Sequence, residues 1–162
     1  MTDMGIFRTT IVIENPANRG DRREIADVMV DTGSEYTWVP ARILESLGLT
    51  HERMARFSTA DGRIIERPIA FAYVYAGGTS APDIVVFAEP GDMTLLGARS
   101  LEGLNLRLDL VLKELVPAGP VPVAFGVTAR RVGSRAAVAQ NPPALSRQAQ
   151  GSASLPRRAV VR

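Results

Sequence analysis

Over the first 120 positions the apolar residues come in short runs divided by turn residues, which is the pattern of a β-rich domain. Ile6 to Glu14 carries Ile11-Val12-Ile13 and ends at Asn15-Pro16 and Asn18-Arg19-Gly20, predicting a strand and a turn. Glu24 to Val30 predicts a second strand, with Ile25, Val28 and Val30 apolar, running straight into Asp31. From Pro40 to Leu47 the apolar residues Ile43, Leu44 and Leu47 fall at helical spacing, with Pro40 tolerated at the start and Gly48 as the stop. Asp61-Gly62 is a tight-turn signal between two extended runs, Arg56 to Thr59 and Arg63 to Tyr75. Gly77-Gly78 marks a further turn, Ile84 to Ala88 a compact apolar strand, and Leu95-Leu96-Gly97 leads into a short helix over Ala98 to Leu104. Leu106, Leu108, Leu110 and Leu112 alternate with Arg107, Asp109, Val111 and Lys113, predicting one extended segment at a sheet edge or interface. Together these elements predict an all-β domain with one or two short helices.

Composition narrows the chemistry. The chain has 162 residues, enough for one domain with a real core. It has no cysteine, which excludes disulfides, thiolate catalysis and Cys-based zinc sites. Its single histidine, His51, lacks a second histidine for a metal motif, and its setting beside Glu52 and Arg53 suits a solvated position better than a catalytic one. No apolar run has the length of a membrane span. The segment Met1-Thr2-Asp3-Met4-Gly5 has no basic-then-apolar leader pattern, so a cytoplasmic location is expected. Charge is divided unevenly. Residues 127–162 hold seven arginines and no acid, leaving twelve basic and seventeen acidic residues in 1–126. The high pI therefore belongs to the tail. The tail is rich in Ala, Ser, Pro and Gln without apolar periodicity, and is expected to be disordered. Any contact with nucleic acid would rest on it alone, and it lacks the aromatics of a single-strand platform.

Chemistry concentrates at Val28-Met29-Val30-Asp31-Thr32-Gly33-Ser34. An Asp-Thr-Gly triplet alone is an ordinary turn after a strand. Here an apolar strand delivers the carboxylate, Gly33 lets the backbone turn sharply beside it, and Thr32 offers a hydroxyl to brace a neighbouring backbone. That is a way of holding an acid at the mouth of a cleft. A second element, Leu95-Leu96-Gly97, follows about sixty residues later and opens a short helix.

In this order and spacing the elements resemble the retropepsin-like aspartic peptidases, the group of retroviral proteases and their small bacterial relatives. The resemblance rests on Asp31-Thr32-Gly33-Ser34, the hairpin about Asp61-Gly62, Leu95-Leu96-Gly97, the helix from Ala98 and the strands from Leu106 to Val116. It covers roughly residues 6–117. It implies a closed β-barrel equal to one acid-protease half; together with the composition this divides the chain into a protease domain over residues 1–120 and an expected disordered basic tail over 121–162, which the resemblance leaves out. It implies Asp31 as the catalytic acid, with Thr32, Gly33 and Ser34 supporting its loop and the Ser34 hydroxyl bonding the aspartate. Trp38, Val39 and Leu95 fall where the family lines its side-chain pockets, and Ala60, Asp61 and Gly62 at the flap tip. Trp38 fits core packing equally well. The resemblance implies no cofactor and no metal. It implies a homodimer acting on a peptide or protein substrate, because the family's site needs two aspartates and this chain has one Asp-Thr-Gly.

Two features depart from the family. Its retroviral flap is glycine-rich, whereas here Asp61 and Arg63 bracket one glycine. The family's arginine directly after the second-motif glycine is replaced by Ala98, with Arg99 next, leaving open whether Arg99 pairs with Glu35. Three functions follow for comparison: an aspartic endopeptidase; a non-catalytic dimeric peptide-binding module on the same fold; and a nucleic-acid-associated protein acting through the tail. The intact Asp31-Thr32-Gly33-Ser34 favours the first, since a binding module has no need of the acid.

Overall fold

The fold is seen in a computed structural model that describes residues 5–124. Nine strands and two helices follow in the order β1 (Arg8–Glu14), β2 (Arg22–Asp31), β3 (Thr37–Pro40), α1 (Ala41–Ser46), β4 (Arg53–Ser58), β5 (Ile64–Ala76), β6 (Thr79–Ala88), β7 (Leu95–Gly97), α2 (Ala98–Gly103), β8 (Leu106–Asp109) and β9 (Glu114–Pro117). The large sheet runs β1-β2-β7-β3-β6-β5-β4, and an added β1–β5 pairing closes its first six strands into a barrel. β4 stays outside that closure, paired only along the first half of the long β5. The expected all-β, closed-barrel class is what the chain adopts.

The core fills the barrel with side chains from opposite strands: Ile11 and Ile13, Val28, Val39, Val74, Val85, Phe87 and Leu96, each essentially without exposed surface. α1 adds Leu44 to this core, α2 adds Leu101, and Leu104 joins them just past the end of α2. Pro40 caps α1 and Gly48 ends it with φ +71°, a conformation that glycine adopts without strain. One acid lies inside this framework. The Glu14 side chain is fully buried, paired with Arg22 and within 3.1 Å of the Tyr75 hydroxyl. Its other oxygen lies against Arg19 without an aligned hydrogen bond. Burial pushes the Glu14 carboxyl up, but Arg22, Tyr75 and Arg19 together hold it below the usual carboxylate range.

The irregularity that matters for the site lies in β2. Pairing with β1 passes from Thr9↔Val28 to Ile11↔Ile25, so β2 carries an extra residue there, and Asp27 takes a left-handed φ of 61°. Core-facing residues change parity across this bulge, from Ile25 to Val28 and Val30. Asp31 therefore leaves the barrel wall on the side opposite the core.

The last strands differ from expectation. The segment predicted as one extended run folds back on itself: β8 and β9 form a two-stranded sheet with Leu106 opposite Pro117. The Asp109 carboxylate causes the break, accepting the N–H groups of Val111 and Leu112 at 2.9 Å each. These bonds, that of Leu112 foremost, lower its pKa. Leu110, Val111 and Leu112 are left exposed at the tip. Residues 121–124 are exposed coil, and the remainder of the expected tail lies outside the described residues. Among the described residues no helix is long and apolar enough to cross a membrane.

Candidate active site

β2 and β7 run parallel, pairing Met29 with Leu95, Val30 with Leu96 and Asp31 with Gly97. The two sequence elements thus end side by side, with Asp31 at the strand tip. Its Oδ1 accepts the Gly33 N–H at 2.9 Å, and its carbonyl accepts the Ser34 N–H at 3.3 Å. Gly33 leaves that carboxylate room: a Cβ there would stand 3.2 Å from Asp31 Oδ1 and press on it. Thr32 is exposed on the loop. The bond expected from Ser34 to the aspartate is not made. The Ser34 hydroxyl donates to the Tyr36 carbonyl at 3.3 Å, and the Ser34 carbonyl accepts the Ala98 N–H at 2.8 Å, so this residue supports the loop through its backbone.

Asp31 opens into a cleft of about 480 Å³. Trp38, Phe57, Ile65, Met93 and Leu95 supply its apolar walls, and Ala60 and Arg63 approach from the hairpin above. Trp38 belongs to this wall, packed edge-on against Phe57 at 4.8 Å between ring centres. Val39 does not. Alternation along β3 turns Trp38 to the cleft and Val39 into the core, where it has no exposed surface, so its assignment to a substrate pocket is corrected. Asp61 and Gly62 form the tip of the β4–β5 hairpin as expected, but neither lines the cleft. The Asp61 carboxylate turns back on its own hairpin, bonding the Thr59 hydroxyl and, at 2.7 Å, the Arg63 guanidinium. Those partners, Thr59 foremost, hold its pKa below the ordinary range. The charged residues at the hairpin tip thus neutralise each other. His51 is exposed and rests edge-on against the Phe87 ring, with no role at Asp31.

Behind the loop lies a polar chain that the sequence reading missed. The Gly97 N–H donates to Thr37 Oγ1 at 3.0 Å; Thr37 Oγ1 and Ser100 Oγ are 2.5 Å apart; and Ser100 Oγ donates to Asp83 Oδ2 at 2.5 Å. Since Ser100 gives its proton to the carboxylate, the Thr37 hydroxyl must donate to Ser100, and every proton in the chain is placed. Thr37 and Ser100 are fully buried and the Asp83 side chain is 6% exposed. Arg99 answers the question left open by its displacement: it lies 3.8 Å from Glu35 and 3.6 Å from Asp83, so it spans the loop and the polar chain. Its exposed arm to Glu35 contributes little by itself.

A second polar feature borders the cleft. Arg67 on β5 makes a two-pronged contact with Asp92 at 2.6 and 3.1 Å and lies 3.3 Å from Glu89. Among the described residues no cation pairs with Asp31, and the cleft's two arginines are held by other acids.

A family model described as "gag-polyprotein putative aspartyl protease" matches residues 22–103, just over half of the chain, from the start of β2 to the end of α2. The chain belongs to this family. Its fold is that of a retropepsin-like aspartic protease, as the resemblance implied. Solved structures similar to it include the simian foamy virus (mac) protease, 16% identical with a TM-score of 0.39, covering 60% of this chain and 92% of that one. Another is the retroviral protease-like domain of Ddi1 from Leishmania major, 16% identical with a TM-score of 0.44, covering 69% and 87%. No curated protein matches the chain.

Proposed function

We propose that the chain is an aspartic endopeptidase assembled as a two-fold homodimer, with Asp31 of each copy facing the other across one site. The observation that carries this reading is Asp31 itself, set at the tip of β2 in an apolar-walled cleft beneath a hairpin, one such acid per chain. Two carboxylates a few ångströms apart do not both ionise readily and so share a proton, as is established for aspartic proteases in general. One then takes a proton from a water between them as that water attacks the peptide carbonyl. The other donates its proton to the carbonyl oxygen. On collapse of the tetrahedral adduct the first passes its proton to the leaving nitrogen while the second takes one back from the adduct's hydroxyl, so the C–N bond breaks, the amine departs neutral and the shared proton is restored. Gly33 contributes by donating its N–H to Asp31 Oδ1 while leaving room for that oxygen. A peptide lying extended in the cleft would meet the hairpin backbone in strand-like fashion. Leu110, Val111 and Leu112, exposed together at the β8–β9 tip, offer apolar surface for the second copy.

The test compares wild type with Asp31→Asn on a mixed peptide library, with new termini read by mass spectrometry and mass by sedimentation. Cleavage by wild type alone, with both proteins dimeric, is the expected result. Equal cleavage by the Asn variant would overturn the mechanism. A dimer that cleaves nothing would leave the fold as a peptide-binding module.

A further inference from the structure

We propose that Arg67 and Asp92 form a strut setting the width of the side-chain pocket beside Asp31, and so select the residue accepted next to the scissile bond. Selection by the strut rests on the peptidase reading; the strut itself does not. Glu89-Pro90-Gly91-Asp92 is a tight turn between β6 and β7: the Asp92 N–H donates to the Glu89 carbonyl at 2.9 Å and Gly91 has φ +98°. Pro at the second position and Gly at the third are what a type II turn demands. Asp92 Oδ2 also accepts the Glu89 N–H at 2.8 Å. The turn is thus stiff by itself, and the residues after it, Met93 and Leu95, form one wall of the cleft.

Nothing covalent fixes that wall relative to the facing one, which Phe57 and Ile65 supply from the hairpin strands. Arg67 does. It lies two residues beyond Ile65 on the same face of β5, and its planar guanidinium grips both Asp92 oxygens. The side chains of Arg67 and Asp92 are only 16% and 15% exposed, so water competes weakly for this pair. Met93 by contrast is 54% exposed, with little packing to hold it. With the strut intact the pocket has a set span. With it cut, the turn can swing as a unit and admit bulkier side chains.

The test uses Asp92→Asn, Arg67→Ala, Arg67→Lys and the double variant Arg67→Ala/Asp92→Asn. The Asp92→Asn side chain keeps an amide oxygen for the Glu89 N–H, so the turn still closes and only the ion pair weakens. Against a peptide series with Ala, Leu, Phe or Trp flanking the cleaved bond, Arg67→Ala and Asp92→Asn should raise KM about tenfold for the preferred peptide while kcat stays within about threefold. Preference should broaden toward Phe and Trp, Arg67→Lys should fall between, and the double should be no worse than its worse parent. Unchanged KM and preference, or loss of kcat alone, would overturn the proposal. Backbone NMR relaxation across residues 89–94 decides the strut independently of catalysis: a drop in amide order parameters or new exchange broadening in Asp92→Asn is expected, and unchanged relaxation refutes it. A wild type that cleaves nothing would sink the peptidase reading while the relaxation result still stood.

Discussion

The chain of protons from Gly97 to Asp83 can be tested by removing one oxygen. Thr37→Val keeps the side-chain shape and deletes the hydroxyl at the centre of the chain. Two bonds go: the one accepting the Gly97 N–H at 3.0 Å and the one made to Ser100 at 2.5 Å. Both ends stay behind in the dry interior, where Thr37, Gly97 and Ser100 are all buried. A typical hydrogen bond contributes about 1 kcal/mol net, and a buried donor left without a partner costs about 1–3 kcal/mol. Together these give a loss of about 2–4 kcal/mol, a large part of the roughly 5–15 kcal/mol that holds a domain folded. Ser100→Ala should cost about 2–3 kcal/mol, since it strips a donor from the nearly buried Asp83 carboxylate.

If the four groups act as one network, the double variant should cost less than the sum of the singles by about 1 kcal/mol or more. Urea unfolding is the assay, followed through Trp38, the only tryptophan and itself part of the cleft wall. Strict additivity, or a Thr37→Val cost below about 0.5 kcal/mol, would refute the argument. The same variants should slow peptide cleavage at full folding, because the chain fixes Gly97, the register partner of Asp31.

Two further outcomes follow from the same geometry. At Gly97 a Cβ would collide with the Tyr36 carbonyl oxygen and stand 2.8 Å from that of Glu35, so Gly97→Ala must displace the active-site loop backbone and should cost about 3 kcal/mol or more by urea unfolding. Gly33→Ala meets only the rotatable Asp31 carboxylate, at 3.2 Å, and should leave stability within about 1 kcal/mol while lowering kcat; equal losses in the two variants would contradict this. Asp92 has its pKa lowered by Arg67 first, against some burial, so its contribution to stability is present above the ordinary carboxylate value and is lost as pH falls through the depressed one. The stability gap between wild type and Asp92→Asn, measured by urea titration, should therefore persist through mildly acidic pH and close only below about pH 3.8.

What could be read in advance was what lies close together in sequence. Asp31-Thr32-Gly33-Ser34, the Asp61-Gly62 turn and Leu95-Leu96-Gly97 are each local, and all three appear where their order implied. The polar chain joins residues 17 to 63 positions apart, and the Arg67–Asp92 pair spans 25, so no window along the chain contains them. β3 was missed because four residues ending in proline carry too short an alternation, and Val39 was misplaced with it. The hairpin at Asp109 was hidden by a leucine alternation that continues through the turn, where an Asx bond overrides the apolar period.

The sequence carries one further signal, in the spacing along β2. Apolar residues at Ile25, Val28 and Val30 are spaced three and then two apart, and a regular strand cannot bury all three. The odd interval requires an inserted residue, and Asp27, an acid in the left-handed region with its carbonyl bonded by Arg8, is where the strand accommodates it. Keep Ile25 inward without the bulge, and Asp31, six positions on, would face inward too. The insertion reverses parity so that Val28 and Val30 seal the barrel while the next residue, the acid, faces the cleft. The irregularity in the hydrophobic pattern is thus the part of the pattern that decides where the carboxylate points.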